Sequence, residues 1–346
     1  MAGICHGAND EIFQGQTPIL TGVDLDSTYT YLLEEAPDRT SDTWELYMSD
    51  RKDHGLNLET STNDGGAGLM SGIPKVFDDI EIQADTFHAA YEMGKIVSQI
   101  ERKAISQINR EYDLEKGAAR KKPKQKAIDE LKEAIPQTKA ILTVCDTILI
   151  LYAWLKELLG FSGYDMKDSI KLIEFILLEM ENVAMGFPKL LKECAKVRKN
   201  IPLLLSFIRR LDIRMEKYAT DLNILPEAFR IMYRQRSCGT DSQQYQNLEY
   251  QLVLMLMHKY NPARGAFQKL LNETHKASSL VENLNGRIRV YIEMKRVIPT
   301  HFFVLMKVYF NTRKYRRSRC PERVGKSPLE LLTGELQPDF LTALGF

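Results

Sequence analysis

Hydrophobic positions in this chain follow two rhythms. Up to about His88 they fall in short runs set off by turn residues, and from there to His275 they recur every three or four residues. The first rhythm predicts strands over residues 4–13, 18–25 and 28–33, each rich in β-branched or aromatic residues and bounded by turn formers. A helix follows over residues 42–54, with Ser41 or Asp42 as its cap and Trp44, Leu46 and Tyr47 on its apolar side. Residues 56–62 read as a fourth strand. The glycine-rich turn Asp64-Gly-Gly-Ala-Gly68 opens a short helix ending near Phe77, residues 80–84 form a fifth strand, and a helix begins after Asp85. The order is β-β-β-α-β-α-β-α.

The second rhythm, with Ile96, Ile100, Ala104 and Ile108 as its first period, predicts an almost wholly helical middle. A basic break over residues 116–126 separates two helices, and Pro136, Gly160, Gly163, Gly186, Pro188, Pro202 and Pro226 punctuate the rest. Two more helices, joined near Pro299, occupy residues 278–315. A basic tail follows, and residues 327–334 read as a short capped helix closed by Gly334. Three segments result: 1–88, 89–275 and 276–346.

Composition narrows the class. The 346 residues are 44% hydrophobic and 27% charged, and the net charge is +1, so the whole chain is no obvious polyanion binder. The local distribution differs: the part through Asp85 is acid-rich, and residues 287–326 are dense in Arg and Lys. Five cysteines without a CxxC pair argue against a disulfide framework and for a reducing, cytoplasmic setting. Residues 1–10 lack the features of a signal peptide. The most apolar run, residues 140–155, is short for a bilayer and contains Asp146, so it reads as a buried helix, not a membrane span. The six apolar residues Leu252-Val-Leu-Met-Leu-Met257 read as core. No Walker loop, zinc spacing, Ser-His-Asp pattern or dinucleotide fingerprint is present.

Several motifs stand in a telling order. Asp10-Glu-Ile-Phe-Gln-Gly-Gln-Thr-Pro-Ile-Leu-Thr-Gly-Val23 resembles the first hairpin of bacterial insertion-sequence transposases of the DDE type. Asn63-Asp-Gly-Gly-Ala-Gly-Leu69 resembles their second motif, and Gln83-Ala-Asp-Thr-Phe-His88 the step that follows in mutator-type relatives, with Asp85 where those carry Cys. Ser278-Ser-Leu-Val-Glu-Asn-Leu-Asn-Gly-Arg-Ile-Arg289 resembles the third motif. Asn311-Thr-Arg-Lys-Tyr-Arg-Arg-Ser318 and Gly325-Lys-Ser-Pro-Leu-Glu-Leu-Leu-Thr-Gly334 resemble the usual ending. The matches run from Asp10 nearly to the C-terminus.

The resemblance implies an α/β, RNase H-like mixed sheet interrupted by a large all-helical insertion. It implies metal-dependent DNA cleavage and strand transfer, with Asp10, Asp64 and Glu282 as catalytic residues holding Mg²⁺ or Mn²⁺. Asp24 and Asp26 compete with Asp10, but placing Asp24 on the first strand leaves one strand before the helix at Asp42 where this fold needs two. Asp64 also suits a tight turn, and Glu282 an ordinary exposed helix position. Against the latter, Glu282, Asn285 and Arg289 share one helical face. Asp85 reads first as an N-cap, while the resemblance places His88 beside the site as an auxiliary, with Asn285. Arg287, Arg289, Arg313, Arg316, Arg317 and Arg319, interleaved with Tyr309, Phe310 and Tyr315, read as a DNA-holding surface or a solvated face. The implied partners are element-end and target DNA and further copies of the chain. Only nine residues precede Asp10 where such enzymes carry a helical DNA-binding region, which points to end recognition by another segment or to a truncated, inactive DNA-binding remnant. A nuclease of the same fold is the other alternative.

Overall fold

The computed structural model describes residues 1–120, 125–184, 186–276, 278–295, 297–318, 320–343 and 345. The chain divides into two compact units, one formed by 1–87 with 271–346 and the other by 88–270.

The first unit is an α/β body. Its strands are β1 (His6–Gln14), β2 (Thr17–Asp24), β3 (Thr30–Glu35), β4 (Thr60–Asn63) and β5 (Glu81–Ala84), hydrogen-bonded in the order β3-β2-β1-β4-β5. β1, β2 and β3 pair antiparallel, while β4 lies parallel to β1 and β5 parallel to β4. Helices α1 (Ser41–Asp53) and α2 (Ala67–Val76) alternate with the later strands.

Alternation along each strand sends side chains to two cores. On one face Leu20, Tyr31 and Leu32 pack with Trp44 and Met48 of α1 and Leu69 and Ile73 of α2. Burying a side chain such as Met48 contributes about 1.5–3 kcal/mol. On the other face Ala8, Ile12, Ile19, Val23 and Leu33 meet helices α11 (Ser279–Met294) and α12 (Thr300–Thr312) through Val281, Leu284, Ile288, Phe303, Met306 and Phe310. A register shift between Gly22 and Val23 leaves Tyr31 as the extra residue of a bulge. Its hydroxyl donates to Asn9 Oδ1 at 2.6 Å, and Asn9 Nδ2 donates to Ser61 Oγ at 2.9 Å. These two bonds run across β3, β1 and β4 beside Asp10.

The second unit is helical throughout its described residues: α3 (Thr86–Ala118, rooted in the first unit), α4 (Gln125–Leu159), α5 (Met166–Val183), α6 (Pro188–Leu204), α7 (Ser206–Leu222), α8 (Glu227–Arg236), α9 (Gln243–Leu256) and α10 (Tyr260–Glu273). Tyr152 of α4 donates to the Ala90 carbonyl of α3 at 2.9 Å over Gly94, where a Cβ would strike the tyrosine hydroxyl. Among the described residues α4 is the one helix long and apolar enough to cross a bilayer. It buries Ile148, Leu151 and Leu155 but leaves Ile150 and Trp154 about half exposed, so the apolar run is helical yet only partly core.

Several boundaries differ from the sequence reading. Thr40, not Ser41 or Asp42, caps α1, accepting from Thr43 N. β4 begins at Thr60: Leu56 and Leu58 are buried, but Leu56 N closes α1 on the Arg51 carbonyl instead of joining the ladder. Pro136 and Pro202 lie inside α4 and α6, so they do not end helices. Each removes one backbone bond, and burial of Ala134 and Thr138 around Pro136 sustains the helix regardless. Leu252 and Leu256 are buried, whereas Val253, Leu254, Met255 and Met257 are exposed, because one helix face cannot hold six consecutive residues. The basic break is shorter than expected, with α3 reaching Ala118 and α4 starting at Gln125. After α12, helix α13 (Pro328–Thr333) has the Ser327–Glu330 capping box and Gly334 in the left-handed region, and α14 (Phe340–Ala343) follows.

Candidate active site

Asp10 sits between Ala8 and Ile12 on β1, so its side chain shares the face covered by α11. It is 7% exposed. Asn285 Nδ2 donates to its Oδ2 at 2.6 Å, and Glu11 N to its Oδ1 at 2.8 Å. Burial pushes its carboxyl up to about 7, against the Glu11 backbone bond, and the charges of Asp64, Glu282 and Glu11 push it further in the same direction. Two acids distant in sequence, Asp64 and Glu282, thus act on one buried carboxylate, beside its neighbour Glu11.

Asp64 follows β4. The parallel register pairs Ala8 with Thr62, and Asp10 and Asp64 each lie two residues further along. Asp64 Oδ1 accepts from Gly66 N at 3.0 Å, and Gly65 adopts φ +89, a value that favours glycine. A Cβ on Gly68 would overlap the Arg39 carbonyl, and one on Gly72 would come within 2.6 Å of the Ser41 carbonyl. The glycines therefore seat the start of α2 against α1 and fix the turn carrying Asp64.

Glu282 and Asn285 lie one turn apart on α11. Glu282 faces Arg289 at 3.6 Å and remains 42% exposed, whereas Asn285 is fully buried and its Oδ1 has no hydrogen-bond partner. Among the described residues no group of three or more His, Cys, Asp or Glu converges closely enough to be a ready metal site. The donor set is all oxygen, which suits Mg²⁺ or Mn²⁺. The buried, unpartnered Asn285 oxygen beside Asp10 adds an acceptor at the same place.

Asp24 stands elsewhere. It pairs with Gly7 across the ladder, three residues before Asp10, and its Oδ2 accepts from Ser27 N at 2.8 Å and from the Ser27 hydroxyl. Burial raises its carboxyl, with Asp26 the charge that acts on it. It holds the β2–β3 turn.

Asp85 caps α3 through Phe87 N at 2.7 Å. Its other oxygen accepts from Ser278 N at 3.0 Å and from the Ser278 hydroxyl, at the root of α11. The sequence suggested the cap but not this grip on the helix bearing Glu282. His88 lies further along α3, half-exposed, with Glu92 at 3.9 Å. Glu11 and Arg39 were also missed. Their 3.0 Å ion pair lies against the Asp64 turn, where a Cβ on Gly66 would stand 3.4 Å from Asp64 and 3.6 Å from Glu11 oxygens.

The basic residues gather separately. Arg287, Phe310, Arg313, Lys314, Tyr315, Arg316 and Arg317 line an open groove of about 450 Å³. Arg287 stacks over Phe310 at 4.6 Å, Arg313 over Tyr309 at 5.5 Å, and Lys314 pairs with Glu330 at 3.2 Å. Tyr315 bonds Thr28 at 2.6 Å, which ties the loop to the β2–β3 turn. Phe310 is buried in the α12 core, so it backs the groove and offers no free stacking face. Arg289 stands apart from the groove beside Glu282, and Arg319 lies outside the described residues.

The result is an α/β protein with a buried acidic locus on its central strand and a cationic groove on the same unit. No family model matches this chain, and no curated protein matches it.

Proposed function

We propose that the chain is a DDE-type transposase core of RNase H-like fold that cleaves DNA and joins it by metal-dependent phosphoryl transfer. The element order supports this reading: three strands, a helix, then β-α units, with acids on the first strand, just after the fourth and on a late helix. The observation that carries it is Asp10, buried on β1, bonded by Asn285 of α11 and in register with Asp64 after β4; burial first, and the charges of Asp64 and Glu282 after it, raise its carboxyl to about 7. A carboxylate so placed is costly unless a cation offsets it, and active sites are where such costs concentrate.

Asp10, Asp64 and Glu282 would hold Mg²⁺ or Mn²⁺, with Asn285 orienting Asp10. When bound, the divalent cations supply an activated water or 3′-hydroxyl and neutralise charge on the scissile phosphate. The carboxylates set where the reacting phosphate lies, and the groove of Arg313, Arg316 and Arg317 contributes salt-dependent, sequence-independent grip on the backbone. A second reading, a DNA-binding remnant without catalysis, draws on the pairing of Glu282 with Arg289 and the lack of a converged ligand group among the described residues.

Supercoiled-plasmid nicking, and joining of a labelled 3′-hydroxyl end to plasmid, separate the readings. The enzyme reading expects both in Mg²⁺ or Mn²⁺, with Asp64→Asn slower by about 100-fold or more, the loss typical of removing one electrostatic stabiliser. Binding without cutting under either metal favours the remnant, and cutting without joining favours a nuclease.

A further inference from the structure

Arg39 is placed with unusual care for an exposed arginine. It lies in the short link between β3 and α1. Asp38 Oδ1 accepts from Thr40 N at 2.9 Å, Thr40 Oγ1 at 2.7 Å and Thr43 Oγ1 at 2.5 Å, and Thr40 caps α1. The Arg39 carbonyl occupies the space left by the missing Cβ of Gly68, four residues after Asp64. The backbone of Arg39 is therefore locked to the turn that carries an acid of the candidate site.

Its side chain points back to the same place. Nη1 donates to Glu11 Oε1 at 3.0 Å, and the guanidinium lies 5.5 Å from the centre of the Phe13 ring. Glu11 is 10% exposed, Arg39 62% and Phe13 43%. An arginine has five N–H donors in a planar fork, and Glu11 takes one of them here. The remaining fork is open to solvent, stacked on an exposed ring, beside Glu11 and Asp64.

We propose that Arg39 is a phosphate-binding subsite for the DNA strand flanking the reacting bond, aimed by Glu11 and backed by Phe13. The inference rests on the transposase reading and names a positioning residue for it. A polyanion approaching three carboxylates needs cationic contact at the rim as well as metal at the centre. A guanidinium held by a single carboxylate oxygen can turn its free edge to phosphate without breaking that bond. Phe13 offers a face for the neighbouring base or sugar.

The test uses the full chain and a fluorescein-labelled duplex, with affinity read by anisotropy in EDTA across a salt series and plasmid nicking read in Mg²⁺. Arg39→Ala is expected to weaken binding by about tenfold, as for loss of a charged hydrogen bond. It should also reduce the slope of log affinity against log salt by about 0.9. Arg39→Lys should restore the slope but only part of the affinity, because the fork is gone. The thermal midpoint of Arg39→Lys should stay at the wild-type value, while Arg39→Ala, which leaves the mostly buried Glu11 without its cation, should melt somewhat lower and is compared well below its midpoint. If wild type binds and nicks while Arg39→Ala matches it in affinity and slope, the subsite is overturned. If Arg39→Ala binds less only because its melting point has fallen and Arg39→Lys is normal in every respect, a structural role replaces it. Wild type that neither binds nor nicks overturns the transposase reading instead.

Discussion

Replacing Asp10 by Asn offers the sharpest test of the acidic site, because it predicts a gain in stability from the loss of a carboxylate proposed to hold metal. The Asp10 carboxyl is raised from 3.8 to about 7, chiefly by burial and further by Asp64, Glu282 and Glu11. About three units at 1.36 kcal/mol each correspond to roughly 4 kcal/mol. The direction follows from linkage: the folded state holds this proton more tightly than the unfolded chain. The penalty is absent below about pH 4, grows between pH 4 and 7, and is complete above 7. Asn removes the charge at nearly constant volume. Asp10 accepts from Glu11 N and Asn285 Nδ2, and a carboxamide has one acceptor oxygen for those two donors. The unpartnered Asn285 Oδ1 can take the new N–H after the amide turns, so the residual cost is about 1 kcal/mol. Asp10→Asn should therefore be more stable than wild type by about 3 kcal/mol at pH 8 in EDTA, and less stable by about 1 kcal/mol near pH 4. Urea unfolding at several pH values gives both curves, and their difference cancels the other titrating groups. Adding Mg²⁺ at pH 8 should stabilise wild type and leave the variant unmoved. A difference that is flat with pH, or that grows toward acid, refutes the account of Asp10.

Gly68→Ala drives a Cβ into the Arg39 carbonyl, which is backbone and yields poorly, so urea midpoints should show a loss of about 1–3 kcal/mol. Replacing Arg316 and Arg317 together by Ala removes two cations from the C-terminal groove. The salt slope of duplex binding should fall by roughly 1.8, twice the value for one phosphate contact, with no dependence on DNA sequence. An unchanged slope would make those residues a solvated surface.

Much of the first unit was legible because its elements are local. Runs of β-branched and aromatic residues between turn formers placed all five strands within a few residues, and Ser327, Glu330 and Gly334 announced α13 from both ends. Two of the failures share one cause, which is that apolar character by itself fixes neither a backbone partner nor burial. Leu56 and Leu58 read as strand because they are apolar, yet they reach the core without a ladder. The 252–257 run read as core because every residue is apolar, yet helical geometry buries only Leu252 and Leu256. At the site, the Gly-rich turn at Asp64 and the spacing of Glu282, Asn285 and Arg289 were visible as patterns. Asp10 was set apart from Asp24 by strand count alone; in the structure Ser27 bonds one oxygen of Asp24, whose other oxygen is buried without a partner, whereas Asn285 bonds Asp10. Glu11 stood inside the first motif without a role and Arg39 outside every motif, since pairing across 28 residues of chain is not a local pattern.

Glu282 is separated from Asp64 by the whole helical unit, yet its position need not depend on where that unit sits. The chain leaves the first unit just after β5 and returns at the same spot. Asp85 accepts from Ser278, and Thr86 donates through both N and Oγ1 to the Lys276 carbonyl, at 3.3 and 3.0 Å. These bonds join the departing and returning strands immediately before α11, and Glu282 N bonds the Ser278 carbonyl one turn later. The entropy of closing such a loop grows only with the logarithm of its length. A few well-placed bonds at its neck can therefore hold Glu282 in register with Asp10 and Asp64. The buried Asp85, read from sequence as a helix cap, is on this argument the residue that lets the proposed site on β1 and β4 draw on Glu282 from the far end of the chain.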